Sequence, residues 1–372
     1  MYKDMNNRWL KRLNFSLIIA TLGIIIMSLV IIGSATHIND DGGQRFWYVQ
    51  RQGIFAIINI AVVLFLINFD YKMLQRYGNA LYIINLILLL AVMFFGHSAL
   101  GAQRWIQIGP INLQPSEFSK LLIIISLASM LEDKIGKLET IYDLLPIAAY
   151  VMLPFLLVLK QPDLGTSLVF IAIFLGMIFS AGVNLKLLGG LFGVGIALMP
   201  LLWHLLKDYQ KTRIMVFIDP NIDPLGSGYH IIQSKIAIGS GMLFGKGLFE
   251  GTQSQLNFLP ENHTDFIFAV VGEELGFLGC SFLLLLYLVL LWQGIKTAIE
   301  ASDNFGKLLA AGISSMLAFH VLVNVGMTLG VMPVTGIPLP LMSYGISSLT
   351  TNIMAVGLLL NIQMRKQRSM FD

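Results

Sequence analysis

Hydrophobic positions in this chain come in long blocks rather than at helical or strand intervals. Apolar runs occupy residues 15–35, 54–69, 80–95, 121–131, 144–159, 164–181, 185–206, 266–292, 308–331 and 346–362. Most approach the roughly 20 residues that a bilayer-spanning helix needs. The fourth reaches that length only if its helix starts near Pro115. The pattern predicts an all-α polytopic membrane protein of about ten transmembrane helices. A single integral membrane domain then covers residues 1–372, with one large extracytoplasmic loop, residues 207–264, between helices seven and eight.

Composition supports this reading. The 372 residues are 56% hydrophobic and 12% charged, where soluble domains are roughly a quarter charged. The mean hydropathy is +0.76. The net charge of +3 says little, but its distribution says more. With an inside N-terminus, the N-terminal tail (Lys3, Arg8, Lys11, Arg12), the inner loops (Lys72, Arg76, Lys134, Lys137, Lys186, Lys296, Lys307) and the C-terminal tail (Arg365, Lys366, Arg368) hold most of the basic residues. The short outer loops hold Arg45, Arg51 and Arg104, with Lys160 at a boundary. This bias places both termini in the cytoplasm. The first run lacks a small-residue cleavage site and reads as an anchor. Cys280, the one cysteine, can form no intramolecular disulfide and reads as packing.

Three loops stand out. Residues 207–264 contain Pro220, Pro224 and a mixed stretch, 229–249, that predicts short helices on the membrane surface. Residues 96–120 alternate polar and apolar side chains around Trp105 and Ile106, then enter a helix through Pro115, Ser116 and Glu117. Residues 331–348, VMPVTGIPLPLMSYGISS, carry three prolines and two glycines that forbid a continuous helix. Irregular apolar backbone at membrane depth must be buried in protein or line a cavity. No internal repeat is evident, which counts against an inverted-repeat transporter.

Ionisable groups gather on the predicted outer side: Arg104, Glu117, Lys120, Asp163, Glu261, His263 and Asp265. The segment FLPENHTDFIF, residues 258–268, sets three of them where the polar loop meets an apolar run, a costly depth for charge. Each has a plainer reading. Asp163 in KQPDLGTS can be a helix N-cap, as can Thr264 or Asp265. Trp105 can be an interfacial belt residue. Glu273 and Glu274, on the order of 12 Å deeper than Asp265, are expected to pair structurally. His204, His320 and Asn324 are embedded polar groups expected to pack or hydrogen-bond. There is no metal-ligand spacing, phosphate-binding glycine loop or nucleophile elbow, so ATP-driven transport has no support.

FLPENHTDFIFAVVGEELGFLG, GAQRWIQIGPINLQPSEFSK, KQPDLGTS and GIPLPLMSYGISS resemble the signature blocks of the SEDS family (shape, elongation, division and sporulation). The likeness covers about residues 10–365 and is greatest to the elongation branch. It implies a ten-helix glycosyltransferase that polymerises lipid II into peptidoglycan strands outside the bacterial cytoplasmic membrane. It also implies a class B penicillin-binding protein, a transpeptidase, as partner. The family's essential aspartate maps to Asp265, its functional tryptophan to Trp105 and its QPD aspartate to Asp163.

This chemistry suits the residues. A sugar hydroxyl must attack an anomeric carbon, and Asp265 is the candidate general base. The leaving undecaprenyl diphosphate departs as an anion, so cations replace the general acid of a glycosidase. Arg104 and Lys120 are the expected cations, with Arg213, Lys235 or Lys246 from the long loop as further choices. Trp105, Arg104, Lys120, Glu117, Asp163, Glu261, His263 and Thr264 are the expected substrate-binding residues. A divalent cation, Mg²⁺ or Mn²⁺, is expected with the diphosphate, its candidate ligands being Asp265, Glu261 and Asp163. No organic cofactor is expected. The expected partners are lipid II, the lipid-linked glycan, membrane lipids and the transpeptidase, with no nucleic acid. A flippase of the lipid-linked precursor is the competing reading. It requires polar groups reaching both faces, whereas these crowd one.

Overall fold

A computed structural model describes residues 13–37, 46–99, 102–109, 111–205, 207–224 and 226–366. Lys3, Arg8, Lys11, Arg12, Arg45 and Arg368, used above to orient the chain, lie outside the described residues. A helix occurs at each of the ten predicted runs. These are α1 (Phe15–Thr36), α2 (Trp47–Asn68), α4 (Gly78–Phe95), α5 (Pro115–Leu131), α6 (Ile141–Lys160), α7 (Leu164–Ser180), α8 (Leu185–Leu205), α12 (Ile267–Glu300), α13 (Asn304–Thr328) and α14 (Ile346–Arg365). The short α3 (Lys72–Arg76) joins α2 to α4. Seven of the helices are long and apolar enough to cross a membrane, and α5, α7 and the apolar part of α8 are shorter. The protein is a multi-pass membrane protein.

The starts of several helices are written in their caps. Asn14 accepts from Leu17 N–H at 3.1 Å, Asp303 accepts from Gly306 N–H at 2.8 Å, and Thr140 with Asp143 forms a capping box. α13 runs through the centre, packed against α12, α7 and α5. α2, α4 and α6 instead expose apolar faces suited to lipid, including Phe65, Phe94 and Leu145.

The all-α expectation needs one correction. Three short strands form an antiparallel sheet, β1 (His97–Ala99), β2 (Ala102–Ile108) and β3 (Ile111–Leu113), with Ile106 opposite Leu113 and His97 opposite Trp105. The polar–apolar alternation of β2 is a strand period, and Gly109, at φ +59°, turns the chain into β3. The large loop is folded too, as α9 (Asp208–Ile218), α10 (Ser227–Ser240) and α11 (Thr252–Gln255).

The eighth apolar run is not one helix. Gly276, at φ +64°, breaks α12, and residues 242–247 of the large loop fill the break. Phe277 and Leu278 N–H groups donate to the carbonyls of Met242 and Leu243 at 2.9 and 3.1 Å. Lys246 and Gly247 N–H groups donate to the carbonyls of Glu273 and Glu274, each at 3.0 Å. Glu273 pairs with Lys246 at 2.9 Å, and Glu274 accepts from Ser34 Oγ at 2.5 Å, so both buried carboxylates are structural ties. His204, expected to be embedded, is exposed on α8.

As expected, the proline-rich segment 333–345 is irregular and mostly buried in protein. Its first half lies against the start of α7. A Cβ at Gly165 would meet Thr335 O at 2.7 Å and the Ile337 side chain at 2.8 Å. Gly165→Ala is therefore expected to lower stability by about 1–3 kcal/mol, read as a drop in melting temperature in detergent. An unchanged melting temperature would show that the segment is not held against α7.

Candidate active site

β2, the start of α5, the start of α7, the loop helices α9 and α10, residues 260–266 and the proline-rich segment enclose a cavity of about 480 Å³. Asp265 lies on its wall, ahead of α12, and caps no helix: the N-cap position is Phe266, without a side-chain bond. The backbone of Asp265 is held from behind by Asn324, whose Nδ2 donates to Asp265 O and to Ile337 O, each at 2.8 Å. The next turn is fixed by Ser343 Oγ donating to Thr264 O (2.6 Å) and Tyr344 N–H donating to His263 O (2.9 Å). Gly336 comes close in front, where an added Cβ would be 3.3 Å from Asp265 Oδ2.

Asp163 serves two purposes. It caps α7, accepting from Thr166 N–H at 3.1 Å and Thr166 Oγ at 3.0 Å. It also lies 3.8 Å from Arg104 Nη1, while Arg104 Nη2 donates to the Pro162 carbonyl. The second β-strand thereby holds its guanidinium at the mouth of α7.

Burial pushes the Asp265 carboxyl up to about 6. The negative charge of Glu261 adds to this, Arg213 and Arg104 oppose it, and Asp163 adds a smaller push. Glu261 is exposed and sits at φ +52°, with its carboxylate accepting from Thr264 Oγ at 2.8 Å. The four charges that act on Asp265 all line the same cavity.

Arg104, Trp105, Glu117, Asp163, Glu261, Thr264 and Asp265 line the cavity, and Lys120 and His263 do not. Lys120 is buried behind Glu117, 2.8 Å from its Oε1, and donates to His320 Nε2 at 2.9 Å. His320 Nδ1 in turn donates to Met316 O at 2.7 Å. His263 packs in a three-ring cluster with Tyr48 and Tyr344, at 4.9 and 5.9 Å, and burial lowers its pKa against the opposing pull of Glu261. Of the three loop cations considered from sequence, Arg213 reaches the cavity, while Lys246 is committed to Glu273. His230, Tyr344 and Gly336 are cavity residues that sequence reasoning missed. The two in the proline-rich segment had a signal in that segment's need to line a cavity. His230 had none. Among the described residues no three His, Cys, Asp or Glu side chains cluster closely enough to hold a metal ion, so Asp163, Glu261 and Asp265 share the cavity without forming a ligand cage.

A family model described as cell cycle protein, spanning FtsW, RodA and SpoVE, matches residues 14–368. The chain belongs to the FtsW/RodA/SpoVE family. The protein named peptidoglycan glycosyltransferase MrdB from Escherichia coli K12 is 39% identical over 353 residues, covering 95% of this chain and 94% of that one. Stage V sporulation protein E of Bacillus subtilis is 41% identical over 357 residues, covering 93% and 95%. A chain from a solved peptidoglycan synthase complex, one that coordinates polymerization and crosslinking, superposes with a TM-score of 0.81 at 30% identity, covering 97% and 99%. The rod shape determining protein RodA of Thermus thermophilus gives 0.70 at 29%, covering 95% and 97%. The FtsW/RodA/SpoVE fold thus extends over nearly the whole chain, cavity included.

Two expectations follow from the geometry. Lys120→Met strands Glu117 in a buried position and should cost about 3 kcal/mol, seen as a lower melting temperature. Most of that loss should return in the Glu117→Gln/Lys120→Met double variant. The second concerns Asp265. An unfolded aspartate ionises near its ordinary value, so the folded state carries a penalty that is absent in strong acid, grows as pH rises and is complete above about 6. Asp265→Asn should therefore be the more stable protein at pH 7.5, by ~1–2 kcal/mol, with the advantage vanishing below pH ~4. Melting curves across pH check this, and equal stability at pH 7.5 would contradict the burial argument.

Proposed function

We propose that the chain is a peptidoglycan glycosyltransferase that polymerises lipid II at the outer face of the bacterial cytoplasmic membrane during elongation. One observation carries the reading: the Asp265 carboxylate shares a cavity with two guanidinium groups and an aromatic strand residue. The names of the relatives and the likeness to a chain of a peptidoglycan synthase complex support it. We place the chain across the membrane ten times, with both termini in the cytoplasm and residues 207–264 outside.

In the proposed reaction Asp265 accepts the proton of the acceptor sugar's hydroxyl. The oxygen attacks the anomeric carbon of the donor, the bond from that carbon to the diphosphate oxygen breaks, and undecaprenyl diphosphate leaves with the electron pair. Attack from the face opposite the leaving group inverts the anomeric centre. Arg104 and Arg213 meet the charge that develops on the diphosphate, in a site where such interactions count for more than in water. Trp105 and Thr264 line the same cavity and hold the sugars, and Asp163 keeps Arg104 in place. Lys120 acts from behind the wall, by holding Glu117. A divalent ion, Mg²⁺ or Mn²⁺, would come with the substrate's diphosphate and meet the carboxylates of this cavity there. The expected partner is a class B penicillin-binding protein that crosslinks the strands.

Purified with that partner and given labelled lipid II in the presence of a moenomycin-type inhibitor, the protein should make glycan polymer. Asp265→Ala should slow it at least 10²-fold while remaining folded. Polymer made at the wild-type rate by Asp265→Ala would sink the assignment. Activity should rise with pH through about 6 as Asp265 ionises. Removing the negative charge in Glu261→Gln eases that ionisation, so the rising limb should move to lower pH, whereas Arg213→Gln should move it up. A limb unmoved by both changes would mean that another group titrates.

A further inference from the structure

His230 faces the cavity but takes no part in the steps above. α10 carries it, and its ring lies parallel to that of Phe266, centroids 5.8 Å apart and planes at 10°. Phe266 follows Asp265 in the chain, so this stack fixes the imidazole on the cavity wall that also carries Asp265. A histidine with a purely structural role ordinarily commits its ring nitrogens to protein groups. Here Nδ1 is closed off from solvent and has no hydrogen-bond partner among the described residues. Nε2 is then the nitrogen that the cavity can reach.

The orphaned Nδ1 decides the tautomer. A buried lone pair without a partner is better tolerated than a buried N–H without one, so the proton belongs on Nε2. Burial holds the imidazole below its ordinary pKa, Glu261 opposing, Arg213 reinforcing and Asp223 opposing more weakly. The ring is thus neutral near pH 7, with one N–H donor directed at the cavity. A diphosphate is matched by the guanidinium groups. A neutral donor suits the neutral oxygens of a sugar.

We propose that His230 contacts the substrate saccharide, donating from Nε2–H to a hydroxyl or amide oxygen and so orienting the sugar beside Asp265. This rests on the glycosyltransferase reading above. No bond is made or broken at His230, and its proton stays on Nε2 throughout.

The test separates binding from turnover. Binding of fluorescent lipid II is measured on the full-length protein in nanodiscs in an Asp265→Asn background, and steady-state polymerisation is measured in the Asp265 protein with its partner. His230→Phe keeps the stack on Phe266 and removes the donor. It should weaken binding about tenfold and raise KM by a similar factor, with kcat changed less. His230→Gln keeps an N–H donor at the position of Nε2 and should bind within about threefold of the parent. Melting temperatures of both variants report folding. Parent-like binding by His230→Phe overturns the proposal. Equal weakening in His230→Phe and His230→Gln, tracked by equal losses of melting temperature, also overturns it, because the histidine would then be structural. A parent that binds no lipid II overturns the glycosyltransferase reading and this proposal with it. Polymerisation by the Asp265→Asn protein overturns the assignment of the base alone and leaves the binding comparison decisive for His230.

Discussion

A backbone that abandons helical geometry inside an apolar protein must find partners for every peptide group it frees, and this requirement organises the molecule. Residues 333–345 are such a backbone. Several of their carbonyls are met by side chains from the surrounding helices: Ile337 O by Asn324, Pro340 O by Tyr287 Oη at 2.6 Å, Met342 O by Ser28 Oγ at 2.6 Å and Ser343 O by Gln52 Nε2 at 3.2 Å. Four helices contribute, α1, α2, α12 and α13. Asn324 also holds the Asp265 carbonyl, so the clamp that satisfies the irregular segment fixes the backbone from which the Asp265 side chain projects as well. Placement of the site and solvation of the backbone have one solution.

The charges fall into two layers with different physics. Behind the cavity wall, Lys120 joins Glu117 and His320 in a buried hydrogen-bonded row, where any partner lost leaves an uncompensated group. In front, Arg104, Arg213, Glu261 and Asp163 act on Asp265 across an open volume, and there even the Arg104–Asp163 pair faces the cavity. That division explains why nearby residues of similar chemistry have different work. Glu117 touches both layers and links them.

Much of this was legible in the sequence, for a physical reason. Long apolar blocks have few alternatives to helices, so ten of them announced the framework. Charge at an apolar boundary is expensive, so FLPENHTDFIF drew attention to Glu261, His263 and Asp265 together, and the family resemblance singled out Asp265 among them. What stayed hidden depends on contacts distant in sequence. Lys120 reads as an available cation until His320, two hundred positions away, is seen beside it. His230 has no local motif, and only the fold of the large loop brings it to the cavity. β2 was visible as an alternation, but the sheet it belongs to depends on two turns that composition alone does not specify.

The break in α12 has a consequence for how such a chain can change. Residues 242–247 complete the hydrogen bonding of a helix formed some thirty positions later, so this stretch is a spliced-in part of a membrane span although it is connected as a loop. An inserted or deleted residue in the segments joining α8 to α9 or α9 to α10 lengthens or shortens a connection. The same change within 242–247 shifts the phase of two strands of bonding at once and uncovers peptide groups at the break. Length variation among homologous chains should therefore fall in those connections and be rejected within this stretch, marking a rigid ruler inside a segment connected as a loop.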